Sequence, residues 1–494
     1  MDPEPEPTGD ALFATRRAKL ERLVASGGTA YPSRVPRTHA IAAALSLVDA
    51  DDVPPVDVAG RLLSLRRMGK TSFAHLDDGS GRIQLFLNAN ELGEAAYRHA
   101  LELLDVGDLI SAGGPLFRTK TGEPSVRVHR WTMAAKALRP LPEKWHGLQD
   151  PELRFRQRYL DLIANAAVRG RFRARAAIVR ALRRVLDGRG FLEVETPTLQ
   201  PLHGGGAAHP FVTQYAALDQ PYYLRIADEL YLKRLLVGGF DRVYEICKDF
   251  RNEGIDTSHS PEFTMLEAYQ AYADLSDMLE LTETLVAEAA RAVGGDTRVR
   301  FGEELLDFTP PWRRVTYRDA LLAAAGVDLY DSAGSSTEAL RTAAARHHVT
   351  IAPQASRAKI LDELMKRLVE PTFVQPTQLT RHPYETTPLA KRAADDARFV
   401  DRFEPFVLGI ELGNAYAELN DPLDQRARME EQARALATGE ADAHPLDEDF
   451  LRALEHGMPP AGGMGLGIDR LTMVLTGTPN IREVILFPQL RSHA

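Results

Sequence analysis

Cysteine is nearly missing from this chain: 494 residues contain one, Cys247. A single thiol excludes an intramolecular disulfide framework and any cysteine-rich zinc motif, and it fits a reducing, cytoplasmic setting. Long apolar runs are lacking too, with no stretch of ~18 uninterrupted apolar residues to cross a bilayer. The opening MDPEPEPTGD is acidic and proline-rich, where a secretory leader would be basic and then apolar, so no signal peptide is expected. Positive charge is not in excess: 60 Lys and Arg against 69 Asp and Glu give a net charge of −9. That balance argues against a broadly basic nucleic-acid-binding surface, though one basic face remains compatible with it. There is no HExxH, no CxxC and no Ser-His-Asp order, which sets aside zincins, thiol-redox sites and triad hydrolases. His347-His348 reads as solvated.

What is present is globular. Hydrophobic content is 44% and charged content 26%, and 494 residues exceed one hydrophobic core, so two or three domains are expected. Residues 11–26, ALFATRRAKLERLVAS, place Leu12, Arg16, Leu20 and Leu23 at helical spacing and end at Gly27-Gly28. From Val56 the period shortens. VAGRLLSLRR, TSFAHLDD, GRIQLFLN, LISAGGPLFRT and PSVRVHRWTMA are short alternating or β-branched runs, with one helix, LNANELGEAAYRHALELL, among them. Five strands and an inserted helix suggest a Greek-key barrel of the OB type. LPEKWHGLQDPELRFRQRYLDL then reads as a linker entering a helix.

Beyond it a larger mixed domain is expected. RFRARAAIVRALRRVLDGRGFLEVETP sets Ile178, Leu182, Val185 and Leu186 on one helix face, closed by Gly188 and Gly190, with Phe191–Glu195 running on as a strand. YYLRIA, RVYEICKDF, EFTMLEAYQAY and FEPFVLGIELGNAYAEL are strand-like; 276–295 and GIDRLTMVLTG are helical; 319–370 is a helical insertion. The fold class is α+β. The boundaries read as a helical extension over 1–50, the barrel over 51–140, a linker over 141–165 and a mixed domain over 166–494.

Four segments concentrate chemistry. In EFTMLEAYQ, alternation puts Phe263, Met265, Glu267 and Tyr269 on one strand face, where a buried acid needs a partner; an edge strand with Glu267 in water is the plainer alternative. In FVLGIELGNAYAELND, Glu411, Asn414, Tyr416 and Glu418 gather around Gly409 and Gly413, with Glu404 upstream. Such acids suit Mg²⁺ or an ammonium group, and also occur as plain surface. GGMGLGIDR, residues 462–470, fits neither GxxxxGK[ST] nor GxGxxG. Its glycines allow close backbone approach to a ligand, with Arg470 offering a phosphate its fork, or else form a tight strand-to-helix turn. FRNEGIDTSHSPEF, residues 250–263, packs charge and two rings between apolar runs, where a solvated hairpin tip is the usual finding.

FLEVETP, FRNEG followed by HSPEF, and GLGIDR occur in that order and resemble motifs 1, 2 and 3 of the class II aminoacyl-tRNA synthetases. YLRIADELYLKRLLVGG, EAYQAYAD, AELND and ILFPQLR, behind an OB-type domain, resemble the lysyl-tRNA synthetases of that class, from about Arg16 to Arg491. The resemblance implies an N-terminal OB-fold anticodon-binding β-barrel and an antiparallel-sheet catalytic domain that pairs into a homodimer through motif 1. It implies ATP, L-lysine and tRNA(Lys) as partners, and Mg²⁺ as cofactor.

By the same resemblance, Arg251 grips the α-phosphate and the amino-acid carboxylate, and Arg470 holds the far phosphates. Glu253 and His259 lie near the adenine and triphosphate, and Phe263 stacks on adenine. Glu404 and Glu411 bind Mg²⁺. The Gly205 backbone and Glu229 meet the α-amino group, Asn414 neighbours the carboxylate, and Glu267, Tyr269 and Glu418 form the ε-ammonium site beside Tyr416. In the barrel, Phe73, Gln84 and Glu123 match anticodon contacts. The chain departs from frequent family residues at Ser260, His209, Ile410, Ala268, Cys247 and the Tyr416-Ala417 pair, which puts inhibitor and analogue sensitivity in play.

Rival readings fit less well. A paralogue that modifies a protein side chain typically lacks the barrel, and a lysyl-phospholipid enzyme needs a membrane-spanning region. A silent RNA-binding protein would not need Arg251, Arg470, Glu404 and Glu411. Aspartyl and asparaginyl relatives would not place Glu267 and Glu418 in the side-chain pocket.

Overall fold

The computed structural model describes residues 9–142, 148–206, 208–437 and 445–491. The acidic start, residues 1–8, and part of the expected linker lie outside these. The chain divides into two units, Met1–Arg169 and Gly170–Ala494.

In the first unit a helix spans Gly9–Ala25. Its buried Arg16 donates to the carbonyls of Val106 (3.0 Å) and Ala137 (3.1 Å), tying the helix to the barrel. The strands are β1 Val56–Met68, β2 Thr71–Asp77, β3 Arg82–Asn88, β4 Leu109–Gly114, β5 Leu116–Arg118, β6 Pro124–Arg127 and β7 Arg130–Ala135. β4 and β5 are one bent strand broken at Pro115, and β6 and β7 another. Across both breaks Arg127 N–H donates to Pro115 O and His129 N–H to Gly113 O, each at 2.9 Å.

The ladders then run from β1 to β2, β3, β6–β7, β4–β5 and back to β1, which closes the barrel expected from five runs. Its crossings are tight. A Cβ on Gly114 would stand 1.8 Å from Arg127 O, so only glycine fits there. Val56, Val58, Leu62, Leu76, Leu85, Ile110 and Val126 fill the interior.

The second unit is built on a nine-stranded sheet. Its strands are β8 Leu192–Glu193, β9 Arg242–Phe250, β10 Glu262–Ala271, β11 Arg313–Thr316, β12 Thr377–Pro383, β13 Phe399–Val407, β14 Ile410–Glu411, β15 Gly413–Ala417 and β16 Ala461–Gly467. The order is β11-β12-β13-β15-β16-β10-β9-β8, with β14 pairing β13. The outermost pairs, β11–β12 and β9–β8, are parallel and the rest antiparallel.

Helices Ala166–Gly188, Leu275–Gly294 and Ile468–Leu475 contribute Ile178, Leu182, Leu281, Leu285 and Leu471 to a core shared with Leu266, Phe403 and Leu466. Helix Leu275–Gly294 starts at a capping box formed by Asp274 and Asp277 and ends at Gly295, whose φ is 78°. The inserted helices Tyr317–Ala325, Thr337–Arg346 and Arg357–Leu364 have their own core around Leu321, Leu340 and Leu361 and connect β11 to β12.

Two local expectations change. The strand expected over Phe191–Glu195 pairs only at Leu192–Glu193. Thr196 gives its N–H and hydroxyl to Glu245 Oε2 (3.0 and 2.7 Å), and Pro197 has no donor to continue the ladder. The glycines of GGMGLG lie inside central strand β16 rather than in a loop, and the helix carrying Arg470 follows at once.

Candidate active site

β9 and β10 are joined by the charged segment 251–261, whose neck is closed by Arg251 N–H donating to Pro261 O at 2.9 Å. Asp256 folds it by accepting the N–H groups of Ser258 and His259, both at 2.7 Å. Partial burial pushes the Asp256 carboxyl up, but the hydrogen bonds from Ser258 and His259 prevail and bring it down to about 2. Ile481 N–H holds the segment from outside through Thr257 O at 2.8 Å.

Beneath this segment is a cavity of about 310 Å³. Arg251, Glu253, His259, Phe263 and Arg470 line it, and so do Gly205, Glu229, Glu267, Glu411 and Asn414. The structure thus brings together residues drawn from five separate stretches of sequence. Phe263 lies with its ring centroid 5.1 Å from the Arg251 guanidinium carbon. Among the described residues no carboxylate pairs with Arg251, and its buried Nε has no partner. Arg470 donates to Glu411 O (2.9 Å) and Oε2 (3.3 Å), and its Nη2 lies 3.3 Å from His259 Nε2. Asp469 fixes the helix to β10 by accepting from Thr264 N (2.6 Å) and Arg175 Nη1 (2.6 Å).

The other end of the cavity is acidic and dry. Glu267 is buried, and its Oε2 accepts from Tyr269 Oη at 3.2 Å. Burial, followed by the charges of Asp228, Asp249 and Glu229, pushes its carboxyl well above the ordinary carboxylate range. Tyr269, Tyr416 and Glu418 do not line the cavity; they lie buried behind its wall. There they meet a residue that sequence reasoning missed, Lys233, which is fully buried. Its Nζ donates to Glu229 Oε1 at 2.5 Å and forms an ion pair with Glu418. Only the four-residue spacing from Glu229 to Lys233 on one helix gave a signal.

Tyr416 Oη donates to Glu229 Oε2 at 2.7 Å, a bond that phenylalanine could not make. The glycines of β16 make room for these groups: a Cβ on Gly463 would lie 2.0 Å from Glu418 Oε1, and one on Gly465 2.4 Å from Glu267 Oε1.

Glu404 also stands back from the cavity. It pairs with Arg402, and His382 Nε2 is 3.8 Å away. Burial and then the charge of Glu404 raise the Glu411 carboxyl, which marks the two acids as electrostatic neighbours, although Glu404 pairs with Arg402 and Glu411 with Arg470.

Among the departures, Cys247 points its thiol at Asp228 (3.6 Å) and Asp249 (3.7 Å), and Arg225 pairs with Asp249 at 3.5 Å and with a third acid, Glu245, at 2.7 Å. Burial pushes Asp249 up to about 6 against the pull of Arg225 and Arg251. Ile410 packs on the core, and Ser260 lines the cavity without a side-chain hydrogen bond among the described residues. His209 accepts Asn252 N–H through its carbonyl at 2.8 Å.

On the barrel, Phe73, Gln84 and Glu123 gather on one face. Gln84 Nε2 donates to Glu123 Oε2 at 2.5 Å, His75 Nε2 meets Glu123 Oε1 at 2.9 Å, and Phe73 lies 5.5 Å from Phe86 between ring centroids.

Residues 150–491 match the family described as tRNA synthetases class II (D, K and N). The chain belongs to this family. Residues 56–134 match the OB-fold nucleic acid binding domain. The family member from Chloroflexus aurantiacus, a lysine–tRNA ligase, is 51% identical over 98% of this chain and 99% of its own. The lysine–tRNA ligases of Roseiflexus castenholzii and Moorella thermoacetica are 53% and 51% identical, each over 97% of this chain and 98% of their own.

Proposed function

We propose that this class II synthetase is a lysine–tRNA ligase that activates L-lysine with ATP and transfers the lysyl group to the 3′ end of tRNA(Lys). One observation carries the reading: a single cavity has Arg251 free of any carboxylate partner among the described residues at one end and the buried carboxylate Glu267 at the other. A substrate with an anionic head and a cationic tail fits that polarity. A neutral side chain would leave Glu267 unpaired, and an acidic one would be repelled by it.

In the first step the lysine carboxylate attacks the α-phosphorus of ATP, and the bond to the β-phosphate breaks, releasing pyrophosphate. In the second, a terminal ribose hydroxyl of the tRNA attacks the carbonyl carbon and AMP departs. No side-chain nucleophile is needed, so orientation and charge neutralisation supply the catalysis. Arg251 is assigned to the α-phosphate and the substrate carboxylate, and Arg470 to the outer phosphates. Phe263 stacks on the adenine, with Glu253 and His259 beside the nucleotide. Gly205, Glu229 and Asn414 orient the amino-acid head, and Glu267, with Tyr269 and Glu418 behind it, faces the ε-ammonium.

Glu411 and Glu404 would hold Mg²⁺. Their oxygen donors suit a hard cation, and the mutual repulsion that raises the Glu411 carboxyl would be relieved by one. When bound, the ion neutralises phosphate charge. Phe73, Gln84 and Glu123 are assigned to the anticodon: a ring for stacking, an amide and an acid for base edges.

The exposed apolar side chains Leu192, Leu199, Val212, Tyr215 and Leu218, in and after motif 1, support a homodimer formed there. No helix among the described residues is long and apolar enough to cross a membrane, and the assigned place of work is the cytoplasm. Aminoacylation of total tRNA with each labelled amino acid in turn tests the reading. Lysine alone should be charged, and charging of another amino acid instead overturns it.

A further inference from the structure

Lys233 has no part in the assignments above, yet it lies fully buried among carboxylates behind the acidic end of the cavity. It sits one helical turn after Glu229, so the helix Glu229–Val237 sets that pair by itself. Nζ takes one oxygen from each of two acids, Glu229 Oε1 at 2.5 Å and Glu418 Oε2. The second oxygen of Glu229 accepts from Tyr416 Oη at 2.7 Å, and the Tyr416 ring centroid is 5.4 Å from Nζ. The second oxygen of Glu418 lies over Gly463, where nothing larger than hydrogen fits.

Burial works against the Lys233 charge, but Glu229 and Glu418 outweigh it and hold the ammonium above the ordinary lysine range. Burial pushes the Glu418 carboxyl up to about 8 even with Lys233 pulling it down, so without that cation the acid would hold its proton still more firmly. A protonated carboxyl can hydrogen-bond a neutral ligand, whereas a fixed carboxylate selects a cation.

We infer that Lys233, braced by Tyr416, is a positioning and specificity-determining residue, a resident ammonium whose charge holds Glu229 and Glu418 in place so that the pocket prefers an amine-bearing substrate to its neutral isostere. This rests on the lysine reading above.

The test is ATP–pyrophosphate exchange by the full chain with L-lysine and with L-norleucine, the neutral isostere. Lys233→Met should raise the lysine KM on the order of 100-fold and narrow the lysine-to-norleucine preference at least tenfold, leaving the ATP KM near its starting value. In a Glu418→Gln background, where one charge of the set is already gone, the same change should cost less than about 10-fold. Equal cost in both backgrounds means that Lys233 acts through packing alone and overturns the inference. Tyr416→Phe, which removes only a hydroxyl, should raise the lysine KM about 5-fold. Should Lys233→Met fail to fold, this variant decides, and an unchanged lysine KM overturns the inference. A wild-type chain without lysine-dependent exchange would fail the parent reading instead.

Discussion

Arg470 reaches Glu411 twice, at its backbone carbonyl (2.9 Å) and at its carboxylate (3.3 Å), so the arginine assigned to ATP is already held at the cavity edge by the acid assigned to Mg²⁺. Holding the fork in place before substrate arrives lowers the reorganisation required at the reaction step. Arg470→Ala should therefore cut ATP–pyrophosphate exchange by about 100-fold or more at saturating lysine. Arg470→Lys, which keeps the charge but not the planar fork, should remain at least about 10-fold impaired. Exchange rates close to wild type in a folded Arg470→Ala chain would remove Arg470 from the nucleotide site.

Glu267 makes a prediction about pH. Burial, together with the charges of Asp228, Asp249 and Glu229, raises its carboxyl well above the usual range, so the empty pocket takes up a proton there at a higher pH than a free glutamate would. An ammonium ligand requires the ionised form, so lysine binding should release that proton and strengthen as pH rises towards the raised value. Calorimetry in buffers of different ionisation enthalpy counts the released protons. Glu267→Gln should abolish the pH slope and weaken lysine by on the order of 3 kcal/mol, with ATP binding unaffected. An unchanged lysine Kd refutes the assignment.

The barrel residues assigned to the anticodon allow tRNA selection to be tested apart from activation. Glu123 is held by both Gln84 and His75, so one substitution loosens the whole polar set. Glu123→Ala or Phe73→Ala should lower kcat/KM for tRNA by about 10- to 100-fold, a loss of the size expected for one base contact. Amino-acid activation, assigned to the other unit, should continue at the wild-type rate. A parallel fall in exchange would mean that the substitution disturbs folding rather than readout.

How much of this was visible in the linear sequence depended on how local the chemistry is. Segment 250–263 carries its arginine and its ring within one hairpin, and the structure places both at one cavity. Glu267 was reachable because strands alternate, so neighbours two apart share a face. Lys233 was not. ELYLKRLL reads as an amphipathic helix, where a lysine is ordinarily solvated, and the partner that explains its burial, Glu418, is far along the chain. Strand β8 was overextended because hydrophobic pattern says nothing of Thr196 diverting its donors to Glu245. The glycines of β16 looked like a loop because glycine is depleted in strands. What places them in a central strand is tertiary: Gly413 needs the same closeness, with a Cβ there falling 2.0 Å from Gly465 O.

Those glycines provide the sharpest structural test. Gly463 is a floor tile under two side chains at once, since an added Cβ would stand 2.0 Å from Glu418 Oε1 and 2.4 Å from the Tyr269 ring. β16 is paired on both edges, with β10 and β15, so the backbone cannot retreat without breaking a ladder. Gly463→Ala must therefore move Glu418 and Tyr269, and overpacking of this kind costs about 1–3 kcal/mol. The melting temperature should fall by a few degrees, about 2 °C or more for a unit of this size. The lysine KM should rise on the order of 10-fold while the ATP KM stays within about 2-fold, because Arg251, Phe263 and Arg470 do not rest on that tile. Gly462→Ala controls for the loss of glycine itself. Its Cβ would meet the flexible Met278 side chain at 2.7 Å, away from the acids, so stability should fall and lysine KM should not move. If both variants shift lysine KM alike, the glycines serve the sheet rather than the pocket.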